Sequence, residues 1–547
     1  MTRTEYTAPA AERGGAVEKT DVLIVGYGPV GQVLALLLAR KGRRVTVVER
    51  WLKAYTMPRA VAFDSEGARI LASTGIAEDI ARIGEPSGEY TWENAAGVPL
   101  LHIDVEERGL CWWPESTSMY QPGLEDALMA RGAALPGLTV HRGHRAVELT
   151  DRGGEVEVVA VAEDGSELVV TADWVVGCDG ANSFVRGHIG TDAKDFGFSH
   201  DWLICDVVPH DTRTYSPNNL QICDPERPRT EVSAGPGHRR WEFMRTGDET
   251  VAALNTPERA WELLGLFDVR PDNATLERHH VYTFEARSAN VWRSGRLLIA
   301  GDAAHVMPPF AGQGMSSGFR DVANLAWRLD LVLDGKAGAS VLDSYPEERR
   351  AHVQHAIGMS VNLGKIICQS DPAAAADRDL VMAASAKRAA ETGTVPQRSP
   401  LMPLTGGLLH KNAAGRLSRP AGTLMPQGRV ARGTEEGLFD ELVGSGFVLL
   451  ATEPPAKLLD PEDLDFLTGL GARLVHVLPA GATAAPGEDE VVDVDDFYLP
   501  HLAKTGSVAV LVRPDFYVYG AAGDATALAD VVGSLRRQLD TPAPATA

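Results

Sequence analysis

Apolar positions in the first fifty residues form two continuous runs with a helix-like stretch between them. Residues 22–25 read Val-Leu-Ile-Val, as in a strand that is buried on both faces. Residues 34–38 continue an apolar pattern that ends at residues 40–42 (Arg-Lys-Gly), a combination typical of the end of a helix. Residues 45–48 form the second run. The order predicts a βαβ unit at the start of the chain.

The pattern changes in the middle of the chain. A mixed region ends in an apolar run at residues 174–176, and residues 200–285 then consist of short alternating segments separated by turn-rich stretches. This alternation predicts an antiparallel sheet. A further buried strand is predicted at 297–300, a helix at 316–335, and a long helical region from about Asp343 to Ala390.

The last part of the chain predicts a separate small α/β domain. Residues 391–435 are rich in Pro and Gly and lack periodicity, which is typical of a linker. Three apolar runs follow, at 446–450, 473–477 and 507–512, and they alternate with helical stretches.

Composition narrows the classes of protein to which the chain can belong. It has 547 residues, with 52 Lys and Arg against 74 Asp and Glu, a formal net charge of −22. With that balance and no basic cluster, we expect no nucleic-acid partner. Five cysteines without a C-x-x-C pair favour a reducing, cytoplasmic location. Because no apolar run reaches the ~20 residues of a spanning helix and the N-terminus lacks a signal-peptide core, we expect neither a membrane protein nor a secreted one.

The strongest local motif lies between the first predicted strand and helix. It reads Gly26-x-Gly28-x-x-Gly31, with Pro29 and Val30 opening the helix. In this pattern the first glycine permits a tight turn, the second lets a pyrophosphate approach the backbone, and the third lets helix and strand pack closely. The pyrophosphate would lie on the amides at the helix N-terminus.

The end of the second predicted strand supports the same interpretation. Glu49 lies there, 21 residues after Gly28 and next to Arg50, where a carboxylate can bind the ribose hydroxyls of a dinucleotide. The motif, the strand, the helix and Glu49 together predict a dinucleotide site.

Further segments indicate which dinucleotide is bound. They are residues 57–60 (MPRA), 120–125 (YQPGLE), 178–186 (CDGANSFVR) and 301–318 (GDAAHVMPPFAGQGMSSG). In this order and spacing they resemble the flavoprotein aromatic hydroxylases, the class A FAD monooxygenases typified by p-hydroxybenzoate hydroxylase. The resemblance is greatest to the 3-(3-hydroxyphenyl)propionate hydroxylase group, through residues 221–228 and 239–244.

The resemblance implies a fold. It is an α/β protein with a Rossmann-type, glutathione-reductase-like FAD-binding domain, an inserted antiparallel-sheet substrate domain and a C-terminal thioredoxin-like domain, as in phenol hydroxylases. The implied boundaries are a disordered tail at 1–20, FAD-binding parts at 21–195 and 286–395, the substrate domain at 196–285, a linker at 396–435, the C-terminal domain at 436–540 and a disordered tail at 541–547. A thioredoxin-like domain here would have no dithiol chemistry, because C-x-x-C is absent.

The resemblance also assigns residues to the cofactor. The Asp179 segment would serve FAD and the nicotinamide donor, Asp302 the flavin ribityl chain, and Val147 the adenine through its backbone. Ser316 departs from the Asn of many members, so only its amide is expected to reach the flavin. With the glycine motif, the predicted FAD residues are Gly26, Gly28, Pro29, Val30, Gly31, Glu49, Arg50, Arg59, Ala60, Gln121, Val147, Asp179, Gly180, Ser183, Arg186, Asp302, Pro308, Gly314, Met315 and Ser316.

The mechanism is likewise what the resemblance implies. NADH or NADPH reduces FAD, O2 adds at flavin C4a, and the hydroperoxide delivers one oxygen atom to an electron-rich ring. The protein must keep that site dry and favour the phenolate. We expect Pro308, Pro309 and Gly312 to line the ring, no acid or base residue, His305 as a packed residue, and no metal, because the histidine pairs lack completing ligands.

The predicted substrate is a phenolic acid of the 3-hydroxyphenylpropionate type, hydroxylated ortho to its hydroxyl group. Gln221, Arg239 and Trp241 are the candidate contacts, and at least one of Arg227, Arg239 and Arg240 is expected to bind the carboxylate. Alternatives are a natural-product (polyketide) tailoring hydroxylase, a Baeyer–Villiger oxygenase and, in other classes, a non-catalytic flavin-binding protein or an NAD-dependent dehydrogenase. A homodimer is a further possibility.

Overall fold

The structure is a computed structural model, and it describes residues 17–54, 59–105, 108–211, 213–393, 402–483 and 489–540. The predicted tails lie almost wholly outside these ranges. The first strand nevertheless begins at Glu18, so residues 18–20, predicted as the end of a tail, belong to a sheet. None of the helices in these ranges has both the length and the apolar character needed to cross a bilayer.

The described residues form 26 strands. In chain order they are β1 (Glu18–Val25), β2 (Val45–Glu49), β3 (Ala62–Asp64), β4 (Gly84–Pro86), β5 (Glu89–Asn94), β6 (Pro99–Asp104), β7 (Ser116–Met119), β8 (Leu138–Arg142), β9 (His144–Asp151), β10 (Val156–Ala162), β11 (Glu167–Gly177), β12 (Ala193–Pro209), β13 (Asn219–Cys223), β14 (Arg229–Ser233), β15 (Arg239–Met244), β16 (Ala274–Ala289), β17 (Arg293–Ser294), β18 (Leu297–Ile299), β19 (His305–Val306), β20 (Arg429–Arg432), β21 (Glu435–Leu438), β22 (Val448–Ala451), β23 (Arg473–Leu478), β24 (Glu490–Asp493), β25 (Ala509–Val512) and β26 (Val518–Ala522).

The same ranges contain 15 α-helices. They are α1 (Pro29–Ala39), α2 (Ser65–Leu71), α3 (Ala77–Ile83), α4 (Gln121–Ala133), α5 (Phe184–Ile189), α6 (Val251–Leu254), α7 (Pro257–Leu264), α8 (Gly314–Leu333), α9 (Ser344–Ile367), α10 (Pro372–Thr392), α11 (Phe439–Leu442), α12 (Pro455–Leu458), α13 (Pro461–Gly469), α14 (Tyr498–Lys504) and α15 (Ala525–Leu539). A π-helical turn (Ala72–Ile76) joins α2 to α3, and short 3₁₀ turns include Gly301–Ala303 and Pro309–Ala311.

The first sheet is built around the predicted βαβ unit, which the structure confirms. β1 lies between β2 and β11 and is parallel to both, while β8 and β18 extend the parallel set on either side. β10 pairs antiparallel with β11, and β9 pairs antiparallel with β10. The carboxyl ends of β1, β2, β11 and β18 therefore meet at one edge, where the predicted cofactor segments begin.

The second sheet is larger than the sequence predicted. Its order is β19-β16-β12-β15-β14-β13-β5-β6, and all neighbours are antiparallel except β13 and β5. The antiparallel sheet predicted at 196–285 is therefore only part of it. β5 and β6 come from the region before, so the sheet is mixed. Their pairing with β13 is non-local, and alternation within one segment carries no signal for it.

Two predicted segments need correction in the C-terminal half. The long helical region is two helices, α9 and α10, because Asp371 caps α10 through the amide of Ala374 (2.8 Å) and Pro372 begins it. The linker predicted at 396–435 contains β20, and Leu404 and Leu409 within it are buried against Tyr517. Its first residues, up to 401, lie outside the described ranges.

The C-terminal domain has a seven-stranded sheet of order β21-β20-β24-β23-β22-β25-β26. The three predicted apolar runs form β22, β23 and β25. β22, β23 and β24 are parallel, whereas β25 is antiparallel to β22 and β26 is antiparallel to β25.

A buried charge network joins this domain to the helices behind the first sheet. The Arg513 guanidinium donates to both carboxylate oxygens of Glu348 (2.9 and 2.8 Å) and to Asp515 (3.0 and 2.6 Å). Arg328 donates to Glu348 (2.7 Å), and the Asn324 amide donates to Glu348 and Asp515 (2.7 and 2.8 Å). Two guanidinium groups thus balance two carboxylates away from water, as burial of charge requires.

We predict that Glu348→Gln destabilises the protein by about 3–5 kcal/mol, because it leaves two buried guanidinium groups with one carboxylate. Urea unfolding followed by tryptophan fluorescence measures the change. Arg152→Met is the control, since its partner Glu157 and Arg152 itself lie at the surface and such pairs contribute about 0–1 kcal/mol. Equal effects of the two substitutions would contradict the role given to the network.

The same carboxylate predicts a pH dependence of stability. The neighbouring guanidinium groups outweigh burial and lower the pKa of Glu348 from its ordinary 4.5 to about 2. Its contribution is therefore fully present above pH 4.5 and is lost as the pH falls from 4.5 towards 2. We expect the free energy of unfolding of Glu348→Gln to depend less on pH than that of the wild type between pH 4.5 and 2. The same pH dependence in both proteins would contradict the prediction.

Candidate active site

The glycine motif forms an open cradle at the start of α1. Gly26 has a φ of +100°, and a Cβ there would lie 2.5 Å from the carbonyl oxygen of Cys178. A Cβ on Gly31 would lie 2.2 Å from the carbonyl oxygen of Gly26, whereas a Cβ on Gly28 would meet no atom within 4 Å. Packing of the protein itself therefore requires two of the glycines, and the third faces open space where the pyrophosphate is expected.

The first turn of α1 offers backbone donors to that space. Gly28 precedes the helix without a side-chain cap, and the first intrahelical bond runs from Gln32 N–H to the Gly28 carbonyl (2.9 Å). The amides of Val30 and Gly31 come before that bond, and Pro29 has none to leave unpaired. Two amides at the positive end of a helix dipole suit a phosphate.

Glu49 braces the same turn. Its carboxylate accepts hydrogen bonds from the amides of Tyr27 (2.7 Å) and Trp51 (2.9 Å), and it is buried at the end of β2. Arg50, beside it, lies over the Trp51 ring, and Val147 is half-exposed on β9. Both carboxylate oxygens already have one donor each, so a ribose would share them.

Gln121 holds the loop after β2. Its side-chain oxygen accepts from the amides of Arg59 and Ala60 (both 2.9 Å), and its amide nitrogen donates to Glu125 (2.8 Å). Burial raises the pKa of Glu125 to about 7. Residues 57 and 58 of the predicted motif lie outside the described ranges.

Arg59 and Asp302, predicted FAD contacts from distant parts of the chain, meet in the structure. They form an ion pair of 2.9 Å in which both side chains are about half-exposed. The pair connects the loop after β2 to the turn after β18. The Arg59 carbonyl also accepts from Arg240 of the second sheet (2.7 Å), so this loop contacts both sheets.

The Asp179 segment shapes a turn rather than presenting its carboxylate freely. Asp179 accepts from the Ser183 hydroxyl (2.5 Å) and the amide of Phe184 (2.7 Å) at the start of α5. Burial raises the pKa of Asp179. Gly180 has a φ of +81° and open space around it, and Arg186 donates to the backbone of the Asp302 segment (2.8 Å).

The start of α8 supplies a second set of backbone donors. Ser317 donates the first intrahelical bond, so the amides of Gly314, Met315 and Ser316 precede it. The Ser316 side chain is buried and accepts from the amide of Asp64 (3.3 Å). It therefore turns away from the helix start, and its amide is the group left for a ligand.

The segment between β19 and α8 is only partly buried. Pro308 is buried, while Pro309 and Gly312 are exposed, and Gly312 has a φ of +63° with no atom within 4 Å of a Cβ. This open edge lies directly before the α8 amides. Pro308, Pro309 and Gly312 therefore border a space next to the helix start, as predicted ring-lining residues should, though contact with the ring stays a prediction.

His305 is a packed residue, as predicted. Its Nε2 lies 2.6 Å from the Asp321 carboxylate, and both side chains are buried. Asp321 also accepts from the Gly301 amide (3.1 Å) and Arg349 (2.9 Å). The His305 and Arg349 charges outweigh burial and lower the pKa of Asp321.

Strand β15 separates the two faces of the second sheet. Trp241 and Phe243 pack on the face covered by α7. Successive side chains alternate between faces, so Arg240, Glu242 and Met244 lie on the other face, towards the first sheet. A cavity of about 180 Å³ opens beside Arg240, and its lining includes Ala60, Gln121, Asp206 and Arg278.

The three predicted substrate contacts are not brought together. Trp241 lies on the α7 face, and Gln221 is fully buried, with its side-chain oxygen bonded to Thr230 (2.8 Å) and its nitrogen to the Arg229 carbonyl (3.0 Å). Arg239 borders the cavity but stacks on Tyr215, 3.8 Å from the ring centroid.

The arginines predicted to bind a substrate carboxylate already have internal acidic partners. Arg227 pairs with Glu249 (3.0 Å), Arg239 with Glu231 (3.2 Å) and Arg240 with Asp206 (2.7 Å).

Sequence reasoning missed Glu242. It was part of the segment quoted for the resemblance but had no assigned role. The available signal was a charged residue between two large apolar residues of a predicted strand, which strand alternation places on the opposite face.

These groups fit FAD. The α1 cradle suits a pyrophosphate, the Arg59–Asp302 region offers polar groups for a polyol chain, and the α8 amides suit the electron-rich edge of a flavin ring.

Comparison with known proteins agrees with this interpretation. Residues 19–360 match the family model described as an FAD binding domain, and residues 422–538 match the HcaD C-terminal domain. The probable NADH-specific resorcinol 4-hydroxylase of Rhodococcus jostii (strain RHA1) is 36% identical over 533 residues, which cover 97% of each chain. The 3-(3-hydroxy-phenyl)propionate/3-hydroxycinnamic acid hydroxylase of Mycobacterium sp. (strain JLS) is 35% identical, covering 88% of this chain and 84% of the relative. The chain therefore belongs to the FAD-dependent aromatic hydroxylases, a family of flavoprotein monooxygenases.

Solved structures share the fold. The flavin-dependent monooxygenase PieE, in complex with FAD and substrate, has a TM-score of 0.78 at 20% identity, covering 95% of this chain and 99% of its own. Aklavinone-11 hydroxylase, in a ternary complex with FAD and aklavinone, has a TM-score of 0.74 at 25% identity, covering 96% and 100%.

The cradle predicts different consequences for two glycines. Gly28→Ala places a methyl group where the pyrophosphate is expected, at an ordinary φ of −76°. We expect the FAD dissociation constant to rise at least about tenfold, or ~1.4 kcal/mol, with little change in the melting temperature of the apoprotein. Gly31→Ala clashes with the backbone and should lower that melting temperature. Flavin fluorescence titration and thermal unfolding of apoprotein measure both, and unchanged FAD affinity in Gly28→Ala would contradict the cradle.

The Asp302 assignment has its own test. Asp302→Ala should weaken FAD binding by about 10- to 100-fold, the usual effect of losing a hydrogen bond to a charged group. Asp343→Ala is a matched control, because Asp343 is also an exposed partner of an arginine, Arg293, outside the candidate site. Flavin content of the purified proteins and apoprotein titration measure the effect. Equal flavin retention in the two variants would remove Asp302 from the site.

Proposed function

We propose that this protein uses FAD, NADH and O2 to hydroxylate a small phenol that carries a substituent meta to its hydroxyl group. The observation that carries the proposal is similarity over nearly the whole chain to a resorcinol hydroxylase and to 3-hydroxyphenylpropionate hydroxylases. Resorcinol and 3-hydroxyphenylpropionate share the meta-substituted phenol. The name of the first relative also supports NADH as the electron donor.

The proposed position of attack is ortho to a phenolic hydroxyl group. Ring carbons ortho and para to that group are electron-rich, and position 4 of resorcinol is ortho to one hydroxyl and para to the other. Bound FAD supplies the chemistry of O2 activation, and the C4a-hydroperoxide route stays a prediction. The amides at the starts of α1 and α8 would hold the cofactor, and the second sheet would bind the substrate beside it.

We propose a neutral phenol in preference to the phenolic acid that the sequence favoured. Each of the three candidate arginines is bonded to an internal carboxylate. Glu242 adds a buried carboxylate to the face of the second sheet that looks towards the predicted FAD contacts. A propionate would have to break one of those ion pairs, which is costly when both partners are buried.

Similarity to hydroxylases of single-ring phenols favours a small phenol over a polyketide. Full-length similarity to named hydroxylases favours catalysis over flavin storage.

The domain assignments extend the proposal. We assign the second sheet to substrate binding, because its inner face lies opposite the predicted flavin segments. The glutathione-reductase-like topology of the first sheet and the thioredoxin-like topology of the C-terminal domain are proposals of the same kind. The parallel β22–β23 pair beside antiparallel β25 and β26 supports the second. A homodimer and a cytoplasmic location stay predictions.

The test is the stoichiometry of NADH oxidised to product formed by the purified holoenzyme. With resorcinol we expect coupled oxidation and benzene-1,2,4-triol as the product. With 3-(3-hydroxyphenyl)propionate we expect kcat/KM to be at least about tenfold lower, since binding the acid must break an internal ion pair. Coupled turnover of the acid at equal or greater kcat/KM would overturn the preference for a neutral phenol. Uncoupled NADH oxidation with both compounds would overturn the proposed substrate class.

A further inference from the structure

Glu242 is a buried carboxylate without a partner. It is 7% exposed, and within the described ranges it has no hydrogen bond or ion pair. A buried ionised carboxylate without a donor is unfavourable by several kcal/mol. Such a group in a folded protein points to a missing donor, such as a ligand.

Its place on β15 puts Glu242 between two segments that are predicted to contact FAD, the loop at Arg59 and the segment before α8. Arg240, two residues before, donates to the Arg59 carbonyl. Met244, two residues after, is paired with Trp202, whose ring lies 5.7 Å from that of Phe310 in the segment before α8. Glu242 therefore lies midway, about 7 Å along the strand from either end, on the face that looks towards the cofactor segments.

The surroundings keep this carboxylate titratable near neutral pH. Burial raises the pKa of Glu242 to about 7, the Arg240 charge opposes the shift, and Asp206 adds to it. On β14 the residue opposite is the neutral Thr230. On β16, beyond Ile204 of β12, the titratable group in register is His280, whose pKa burial lowers; Arg278 and Tyr282 flank it on the same face.

We propose that Glu242 is a catalytic residue that binds the phenolic hydroxyl group of the substrate and accepts its proton. The inference rests on the proposed function, since it needs a phenol. The second sheet would thus supply a base that the resemblance to the family did not assign.

The step is a proton transfer. The phenol O–H bond breaks as an Oε–H bond forms on Glu242, and the electron pair stays on the phenolate oxygen. The phenolate donates that pair into the ring, which makes the ortho carbon more nucleophilic towards the transferred oxygen. A base with a pKa near the working pH is best suited to such partial transfer.

The first experiment measures protons rather than turnover. Resorcinol is titrated into the oxidised holoenzyme by calorimetry in buffers of different ionisation enthalpy, between pH 6 and 8. A carboxylate with a pKa of about 7 is half protonated at pH 7, and accepting the phenol hydrogen bond displaces that proton. We expect release of about half a proton at pH 7, more at pH 6 and almost none at pH 8.

Two variants separate this role from packing. Glu242→Gln should abolish the proton release, make resorcinol affinity independent of pH over this range, and lower kcat about 100-fold, with flavin content retained. Glu231→Gln is the control: Glu231 is a half-buried carboxylate on the adjacent strand, in register with Trp241 on the α7 face, where it is ion-paired with Arg239. Should Glu242→Gln fail to fold, Glu242→Asp must keep the proton release while lowering kcat.

The outcomes are distinct. Proton release unchanged in Glu242→Gln, or equally changed in Glu231→Gln, overturns the role of Glu242 while leaving the hydroxylase intact. Wild-type enzyme that neither binds nor hydroxylates resorcinol or 3-(3-hydroxyphenyl)propionate overturns the proposed function instead. Fluorinated phenols of lower pKa should narrow the kcat difference between wild type and Glu242→Gln, which a structural defect would not do.

Discussion

Helix α8 is the element whose position the rest of the structure depends on, because its buried side is polar. Arg320, Asp321, Asn324 and Arg328 are almost fully buried along it. Buried charges are tolerated only with partners in good geometry. Their partners come from four other parts of the chain: Asp64 and Glu66 for Arg320, His305 and Arg349 for Asp321, Glu348 and Asp515 for Asn324, and Glu348 and Ser344 for Arg328. Together they fix the register of the helix and hence the place of Gly314 at its start.

The C-terminal domain has a structural role in positioning α8. This domain contains no cysteine and therefore no dithiol, since all five cysteines of the chain lie before it. Its Arg513 and Asp515 instead complete the charge balance around Glu348 at the far end of α8. By supplying Arg513 and Asp515 to this buried network, the domain helps to position α8, whose first amides are proposed to bind the flavin. Arg69, which bonds to Asp440, makes a second buried connection of this kind.

Local signals in the sequence predicted the elements of the candidate cofactor site. The βαβ unit, its glycines and Glu49 lie within 32 residues of each other, so turn, helix and strand constraints act together. The joining of β5 to β13 and of Glu348 to Arg513 was beyond such reasoning. Those contacts span more than 100 residues, and no local period encodes them. Composition misjudged residues 402–435 for a related reason, because Pro and Gly are equally compatible with a linker and with an irregular segment packed on a sheet.

The faces of β15 show the same limit at the scale of one strand. Each face of this six-residue strand carries at least one charged and one large apolar side chain, so hydrophobic alternation does not tell which face is buried against α7 and which faces the segments predicted to bind FAD. Once Trp241 and Phe243 are placed under α7, Arg239 goes with them and Arg240 and Glu242 go to the other side. The arginine that sequence reasoning selected as a substrate contact thus shares a face with the packing residues. The inner face presents an arginine already paired with Asp206 and a carboxylate, Glu242, that has no hydrogen-bond partner among the described residues. Under the proposed function, this combination suits a hydroxyl group that can give up a proton rather than an anion.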